Sequence, residues 1–277
     1  MPNWCYNDLT ITGKPEILRT FMNDITVVVP ASEEEVLPET SEPATKLKMS
    51  SLYPCPAELL EYQAPLSRTK DGREISDDER EALIANFQAK YGASDWYDWC
   101  NTYWGTKWGD CDTELTDPFE VSEISDKTTS IRLRFESAWS PATGLLAKLS
   151  ELYPQLLFSV VSTEESDAFL CYQVFHKGQV VGQQDYDTQE VPDEISKLAD
   201  DDDTFDEYCE AIGEWQCERN DKVSNGADTF VENYLKQIKA QRDKVEYQYK
   251  VKQIRLNEER EQALKEFEVC EVITANT

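Results

Sequence analysis

The chain has 277 residues and is strongly acidic, with 55 aspartates and glutamates against 27 lysines and arginines, a net charge of −28 and a pI near 4.3. A field this negative repels phosphates and anionic membranes, which argues against direct nucleic acid binding and favours basic partners. The apolar fraction of 40%, with 13 tyrosines and 7 tryptophans, is enough for a folded core and argues against wholesale disorder.

The first half of the chain predicts a strand, a helix, a loop and a second helix. Residues 4–12 alternate between apolar and polar side chains, as a half-buried strand does. A proline opens a short helix over 15–22, and residues 30–48, rich in Pro, Glu, Ser and Thr, predict a mobile loop. A helix over 77–91 has a serine before it as cap and a glycine after it as stop.

The second half predicts mainly strands. They are expected at 119–124, 130–136, 156–161, 168–176 and 179–186, with a helix from Ser140-Pro141 to Pro154. The order of strand, helix, strand pair, helix and strand is that of ferredoxin-like folds. We therefore predict an α+β protein whose ferredoxin-like antiparallel sheet carries extra strands and a helical insertion.

The end of the chain predicts an acidic segment followed by a long helix. Six acids are expected at the start of a helix that runs through Glu218, where they favour its positive end: Asp200, Asp201, Asp202, Asp203, Asp206 and Glu207. Residues 228–268 lack Pro and Gly and are dense in helix formers. We predict one domain over 1–190, with a Trp-rich helical insertion at about 50–118, and an acidic and helical extension over 191–277.

The cysteines and the single histidine predict reduced thiols and no metal or cofactor. None of the eight cysteines forms Cys-x-x-Cys, the close pairing from which zinc sites are usually built. The first residues do not resemble a secretory signal, and no apolar stretch approaches the roughly 20 residues of a membrane span. We expect a cytoplasmic protein, and a secreted protein with disulfides is the alternative.

Three blocks of the sequence resemble a small family of phage- and plasmid-encoded proteins described as YubB-like. They are Met1–Gly13, Trp104–Trp108 and Phe135–Pro141, in the same order as in the family. The resemblance covers roughly residues 1–186, matches poorly at 30–75 and 109–118, and implies a ferredoxin-like domain and a mobile-element origin. It implies no reaction. Plasmid members of this family tend to lie among genes that counter host defences, and this favours a role against such defences.

The aromatic and polar residues in and around these blocks predict a site at one end of the sheet. We expect its members to converge as an aromatic-lined pocket with polar edges: Asn3, Trp4, Asn7, Trp104, Lys107, Trp108 and Trp139. The alternative is that the tryptophans only pack the Trp-rich insertion against the sheet as core.

Other candidates for chemistry are weaker. Residues 110–114 place acids at alternate positions but lack the glycine and the distant glutamate of a calcium loop. His176 is the one candidate for a general acid or base near neutral pH, at a predicted hairpin tip. No Gly-rich phosphate loop occurs. We expect a protein without enzymatic activity.

The charge distribution leads to the first functional hypothesis. Residues 1–226 hold 45 acids and 18 bases, whereas residues 227–268 hold nine of each. The leading hypothesis is that the acidic part binds and inhibits a host protein with a basic surface, by mimicking nucleic acid charge. One alternative is a protein that sequesters a signalling nucleotide in the aromatic pocket. The other is an assembly protein that forms homo-oligomers through the C-terminal helix.

Overall fold

The computed structural model describes residues 3–29, 44–118, 120–166, 168–186, 191–200 and 205–275. Contacts divide the chain into two compact units, Met1–Ala227 and Asp228–Thr277. The division predicted at residue 190 was drawn from composition and stays a prediction.

Eight strands and six helices build the described chain. The strands are β1 (Trp4–Thr12), β2 (Thr26–Val29), β3 (Ala44–Leu47), β4 (Cys111–Asp117), β5 (Ser130–Ala138), β6 (Leu157–Glu164), β7 (Leu170–His176) and β8 (Gln179–Tyr186). The helices are α1 (Pro15–Ile25), α2 (Asp77–Tyr91), α3 (Trp96–Tyr103), α4 (Thr143–Leu152), α5 (Asp193–Ser196) and α6 (Phe205–Ala275). Short 3-10 turns cover Met49–Leu52, Leu59–Glu61, Val121–Glu123 and Lys197–Asp200.

The main sheet has six antiparallel strands in the order β4-β5-β1-β6-β7-β8. The path β1-α1-β4-β5-α4-β6 places β1 between β5 and β6, with β4 beyond β5, which is the arrangement of a ferredoxin-like core. β7 and β8 extend the sheet beyond β6. The predicted fold class is therefore confirmed, including the extra strands and the long C-terminal helix.

Buried and more exposed side chains alternate along β1, so one face of this strand contributes to the core. Its odd-numbered side chains from Cys5 to Ile11 are buried and the even-numbered ones lie on the other side. Leu9 and Ile11 of this row pack in one cluster with apolar side chains of α1, such as Phe21, and of α4, such as Leu146. Burying each such large side chain contributes about 1.5–3 kcal/mol, so the sheet and two helices form a stable frame.

The strand predicted at 119–124 is wrong. The edge strand is β4, which comes earlier in the chain, and Val121–Glu123 forms a 3-10 turn; residue 119 lies outside the described residues. β4 was not predicted because it contains Asp112 and Glu114, and acidic residues favour the prediction of a loop. Both are exposed on this edge strand, where charged side chains are tolerated. Pro118 follows the strand and cannot donate to a ladder.

Three further boundaries differ from prediction. Residues 44–47 of the predicted loop form β3, paired with β2, while 30–43 lie outside the described residues. α4 begins at Thr143 after Ala142, which has no side chain that could cap it, and the Ser140 hydroxyl donates to the carbonyl oxygen of Gly105 (2.8 Å). The two helices predicted after residue 200 are one helix, α6.

Asn7 lies in the core and not at a pocket. Its side-chain amide donates to the carbonyl oxygen of Cys5 (2.9 Å) and to the Ser137 hydroxyl (3.0 Å), and its oxygen accepts from the Ser162 hydroxyl (2.8 Å). The residue is fully buried, so the amide joins β1 to both neighbouring strands by side-chain bonds. Its predicted place among the polar members of an aromatic pocket is corrected accordingly.

We expect Asn7→Ala to lower the free energy of unfolding by about 2–3 kcal/mol, because it leaves buried partners unpaired. Urea unfolding measures the change. Asn101→Ala is the control, since Asn101 is exposed and its amide donates to the carbonyl oxygen of Tyr97 in its own helix. Equal stability of the two variants would contradict a structural role for the buried amide.

Candidate functional site

A pocket of about 850 Å³ lies in the first unit, where the Trp-rich segment 96–108 meets residues 48–70. Its wall combines aromatic rings with cations: Trp96, Trp104, Trp108, Lys48, Lys70 and Lys107. The volume is in the range of sites for small ligands and cofactors. Three lysines line this pocket, although the chain as a whole has a net charge of −28.

α3 presents Trp96 to the pocket. The Asp95 carboxylate caps the helix by accepting from the backbone N–H of Asp98 (2.9 Å), which fixes where Trp96 begins it. Trp99, on another side of α3, is buried and packs edge-on against Trp104, with ring centroids 5.6 Å apart. The buried side of this helix therefore holds the exposed side in place.

Trp104 is fixed at both its backbone and its ring. The indole N–H donates to the carbonyl oxygen of Tyr53 (2.9 Å). The Trp104 carbonyl oxygen accepts from the backbone N–H groups of Gly144 (3.0 Å) and Leu145 (3.2 Å), at the start of α4. This docks the Trp-rich segment on the sheet and helix frame, so the pocket wall is pre-formed.

Lys107 lies between two tryptophans of the wall. Its ammonium nitrogen is 4.3 Å from the ring centroid of Trp108 and 5.8 Å from that of Trp96. Cation–π attraction holds the ammonium there without neutralising it. Trp108 in turn stacks on Trp4, with centroids 5.8 Å apart.

The described side chains that line the pocket include three lysines and one carboxyl group, that of Asp110. No carboxylate of the described residues forms an ion pair with Lys48, Lys70 or Lys107 within 4.0 Å. One acid, Asp110, is in the wall, and its Oδ2 accepts from the backbone N–H of Ser50 (2.8 Å). Burial raises the pKa of Asp110, and the hydrogen bonds from Ser50, followed by the charge of Lys48, oppose that rise.

The structure brings three of the seven predicted site residues to this pocket: Trp104, Lys107 and Trp108. Trp4 lies beside it through its stack on Trp108. The side-chain amide of Asn3 is exposed and donates to the Ser166 hydroxyl (3.4 Å), away from the pocket lining. Trp139 is 52% exposed, has a left-handed backbone (φ 72°) and does not line the pocket.

Sequence reasoning missed half of the cationic and aromatic wall. Trp96 belongs to the Trp-rich block, and its place at the start of a capped helix was a signal that could have found it. Lys48 and Lys70 carry no such signal, because they reach the pocket only through the packing of segments distant in sequence.

Apart from Asp110, which lines the pocket, the other candidates lie away from it or are dispersed. Asp200 ends a 3-10 turn, residues 201–204 lie outside the described residues, and Asp206 and Glu207 are exposed in the first turn of α6. Of the acids at 110–114, two belong to β4, and the described chain holds no group of three or more His, Cys, Asp or Glu side chains arranged for a metal.

His176 ends β7 beside the hairpin turn. Its Nε2 donates to the carbonyl oxygen of Pro154 (3.1 Å), and burial, followed by the nearby Lys177, lowers its pKa. It does not line the pocket. Within the described ranges, no helix combines the length and apolarity that crossing a membrane requires.

Comparison with known proteins gives a partial match. Residues 118–207, from before β5 to the start of α6, match the model of a family described as "Ferredoxin-like domain in Api92-like protein". The crystal structure of protein api92 from Yersinia pseudotuberculosis aligns with 69% of this chain and 100% of its own, at 12% sequence identity and a TM-score of 0.36. No curated protein matches significantly. The YubB-like resemblance, the mobile-element origin and the cytoplasmic location stay predictions.

Proposed function

We propose that this protein is a non-enzymatic binding protein that takes a small anionic ligand with an aromatic ring, of the nucleotide class, in the pocket of Trp96, Trp104 and Trp108. The observation that carries the proposal is the convergence of three lysines and three tryptophans in one pre-formed wall of an otherwise acidic chain. The proposal develops the alternative that the protein sequesters a signalling nucleotide, and it assigns that role to this pocket.

The two kinds of side chain fit the two parts of a nucleotide. A flat ring stacks on an indole, an interaction of about 1–3 kcal/mol per base. Lysine ammonium groups bind phosphate oxygens through charge-assisted hydrogen bonds, each worth about 1.5–3 kcal/mol. A ligand with both parts therefore gains more than either part alone, and an uncharged or purely aliphatic ligand gains least.

Calorimetric titration of the full chain tests this with three probes: ADP, adenosine and inorganic pyrophosphate. We expect ADP to bind at least about tenfold more tightly than either half, because only ADP engages both the rings and the lysines. Affinity of ADP equal to that of pyrophosphate would show that charge alone acts, and the tryptophans would then have no part in recognition. Absence of heat with all three probes would contradict the nucleotide class.

The acid excess of residues 1–226 supports a second candidate function. Carboxylates on this unit can occupy a basic surface of another protein, as the phosphates of nucleic acid do, and an inhibitor of a host defence protein is the finer form of this idea. Capture of partners from host lysate at 50 and 500 mM NaCl tests it. Such a partner is expected at low salt and lost at high salt, and capture that ignores salt would contradict charge mimicry.

The part of α6 that lies in the second unit supports a role in assembly. Val245, Tyr249 and Leu256 are exposed there, in a segment with balanced charge. If a second copy covers them, light scattering should give a mass above the 31.9 kDa of one chain, and Val245→Glu should return it to one chain. A monomer at all concentrations would remove this candidate.

A further inference from the structure

Two cysteines lie together in the wall of the proposed ligand pocket. Cys55 follows Pro54 in the segment before α2, and Cys100 lies in α3. Both are free thiols, only 7% and 2% exposed, and both line the pocket. The pocket therefore gives small solutes a path to sulfur atoms that are otherwise enclosed.

Cys55 and Cys100 belong to one cluster of buried side chains, together with Leu59, Phe87 and Trp99, although 45 positions separate the two cysteines in sequence. The interaction with Cys100 lowers the pKa of Cys55, against the opposing effect of burial, whereas the same interaction and burial raise the pKa of Cys100. By contrast, burial raises the pKa of Cys5 to about 12 and that of Cys171 to about 11. Cys55 is thus the better nucleophile of the pair, since the thiolate is the reactive form.

We propose that Cys55 and Cys100 form a peroxide-sensitive dithiol, a modification site in the pocket wall that converts to an intramolecular disulfide. The oxidant is hydrogen peroxide. The Cys55 thiolate attacks one peroxide oxygen, the O–O bond breaks, and Cys55 becomes a sulfenic acid as the first water leaves. The Cys100 sulfur then attacks the Cys55 sulfur and displaces the second water. Two electrons pass from the sulfurs to the peroxide, and both thiol protons end in water.

The disulfide would link the segment around Pro54 and Pro56 to α3, across the wall that also carries Trp96 and Trp104. Regulation of ligand binding by this bond rests on the proposed function, whereas the formation of the bond does not. We expect oxidation to weaken ADP binding, and bound ADP to slow oxidation by filling the path that peroxide takes.

Peptide mapping of the unaltered full chain tests the dithiol. The chain is treated with an equimolar amount of hydrogen peroxide, its remaining thiols are alkylated, and its digest is analysed by mass spectrometry. The expected product is a cross-linked peptide joining Cys55 to Cys100, lighter than the two free peptides by two hydrogen atoms and absent after dithiothreitol. If Cys55 and Cys100 both carry the alkyl group while Cys209 and Cys217, which are exposed, are oxidised, the proposal is overturned.

Two variants separate the steps. Cys100→Ser should stop the reaction at the Cys55 sulfenic acid, which dimedone traps. Cys171→Ser, at a cysteine of β7 that does not line the pocket, is the matched control and should keep the cross-link. The map of the unaltered chain decides the question even if a variant fails to fold.

Repeating the map with saturating ADP separates this proposal from the proposed function. A cross-link that forms in a chain with no affinity for ADP supports the dithiol and contradicts the nucleotide site. ADP binding without any cross-link contradicts the dithiol alone. A cross-link that forms equally fast with ADP bound places ADP outside this pocket and overturns the regulatory link.

Discussion

Gly144→Ala is expected to lower the free energy of unfolding by about 3 kcal/mol and to remove ligand binding at the pocket with it. An added Cβ would overlap the carbonyl oxygen of Tyr103 and lie 3.0 Å from the carbonyl carbon of Trp104. Both are backbone atoms at the end of α3, which cannot rotate away as a side chain can, so the helix and the Trp-rich segment must shift. The Gly144 N–H bond to the Trp104 carbonyl oxygen would be disturbed by the same shift.

Gly213→Ala is the matched control for this change. Gly213 lies in α6, and an added Cβ there meets no heavy atom within 4 Å. Alanine is favoured over glycine in a helix by about 0.5–1 kcal/mol, so this variant should be as stable as the unaltered chain or slightly more stable. Thermal and urea unfolding of the two variants compare them. If Gly144→Ala unfolds like Gly213→Ala, the close approach of α4 to the Trp-rich segment does not hold the pocket wall.

Lys107→Gln is expected to weaken ADP binding by about 10- to 100-fold. The change removes the cation held between Trp96 and Trp108 and keeps a side chain of similar length. A charge-assisted hydrogen bond to phosphate is worth about 1.5–3 kcal/mol, and each 1.4 kcal/mol is a factor of ten in affinity. Calorimetry of the full-length variant measures the loss, and adenosine binding should change little because adenosine has no phosphate.

Lys127→Gln tests whether net charge alone explains such a loss. Lys127 is exposed in the turn before β5 and does not line the pocket, yet its replacement changes the charge of the chain by the same amount. We expect its affinity for ADP to equal that of the unaltered chain. If both lysine variants lose affinity to the same extent, the effect is a property of the acidic chain as a whole and the pocket is not its cause.

The order of the elements could be read from the sequence because it rests on local patterns. The alternation in β1 and the capped helix α2 are each encoded by neighbouring residues, and both lie where they were predicted. β2 and β3 could not be read this way, since each is four residues long and is stabilised by pairing with the other across residues 30–43. β4 was not recognised as a strand because it contains acidic residues, which an exposed edge strand tolerates.

The pocket could be predicted only in part, and for a related reason. Trp104, Lys107 and Trp108 lie close in sequence and were recognised together, while Lys48 and Lys70 join them only when separate segments fold against α3. Asn7 shows the opposite error. Its motif pointed to a polar pocket member, but three buried hydrogen-bonding partners in the sheet satisfy its side chain, and no short-range pattern reveals such partners.

The central claim is that the wall of tryptophans and lysines binds a nucleotide, and the indole N–H resonances of the full chain test it most directly. Each of the 7 tryptophans gives one resonance in a proton–nitrogen correlation spectrum. Titration with ADP should shift those of Trp96 and Trp108, which line the pocket, and leave that of exposed Trp139 in place. Unchanged Trp96 and Trp108 resonances at ADP concentrations that saturate the calorimetric signal would contradict the account, as would a shift confined to Trp139.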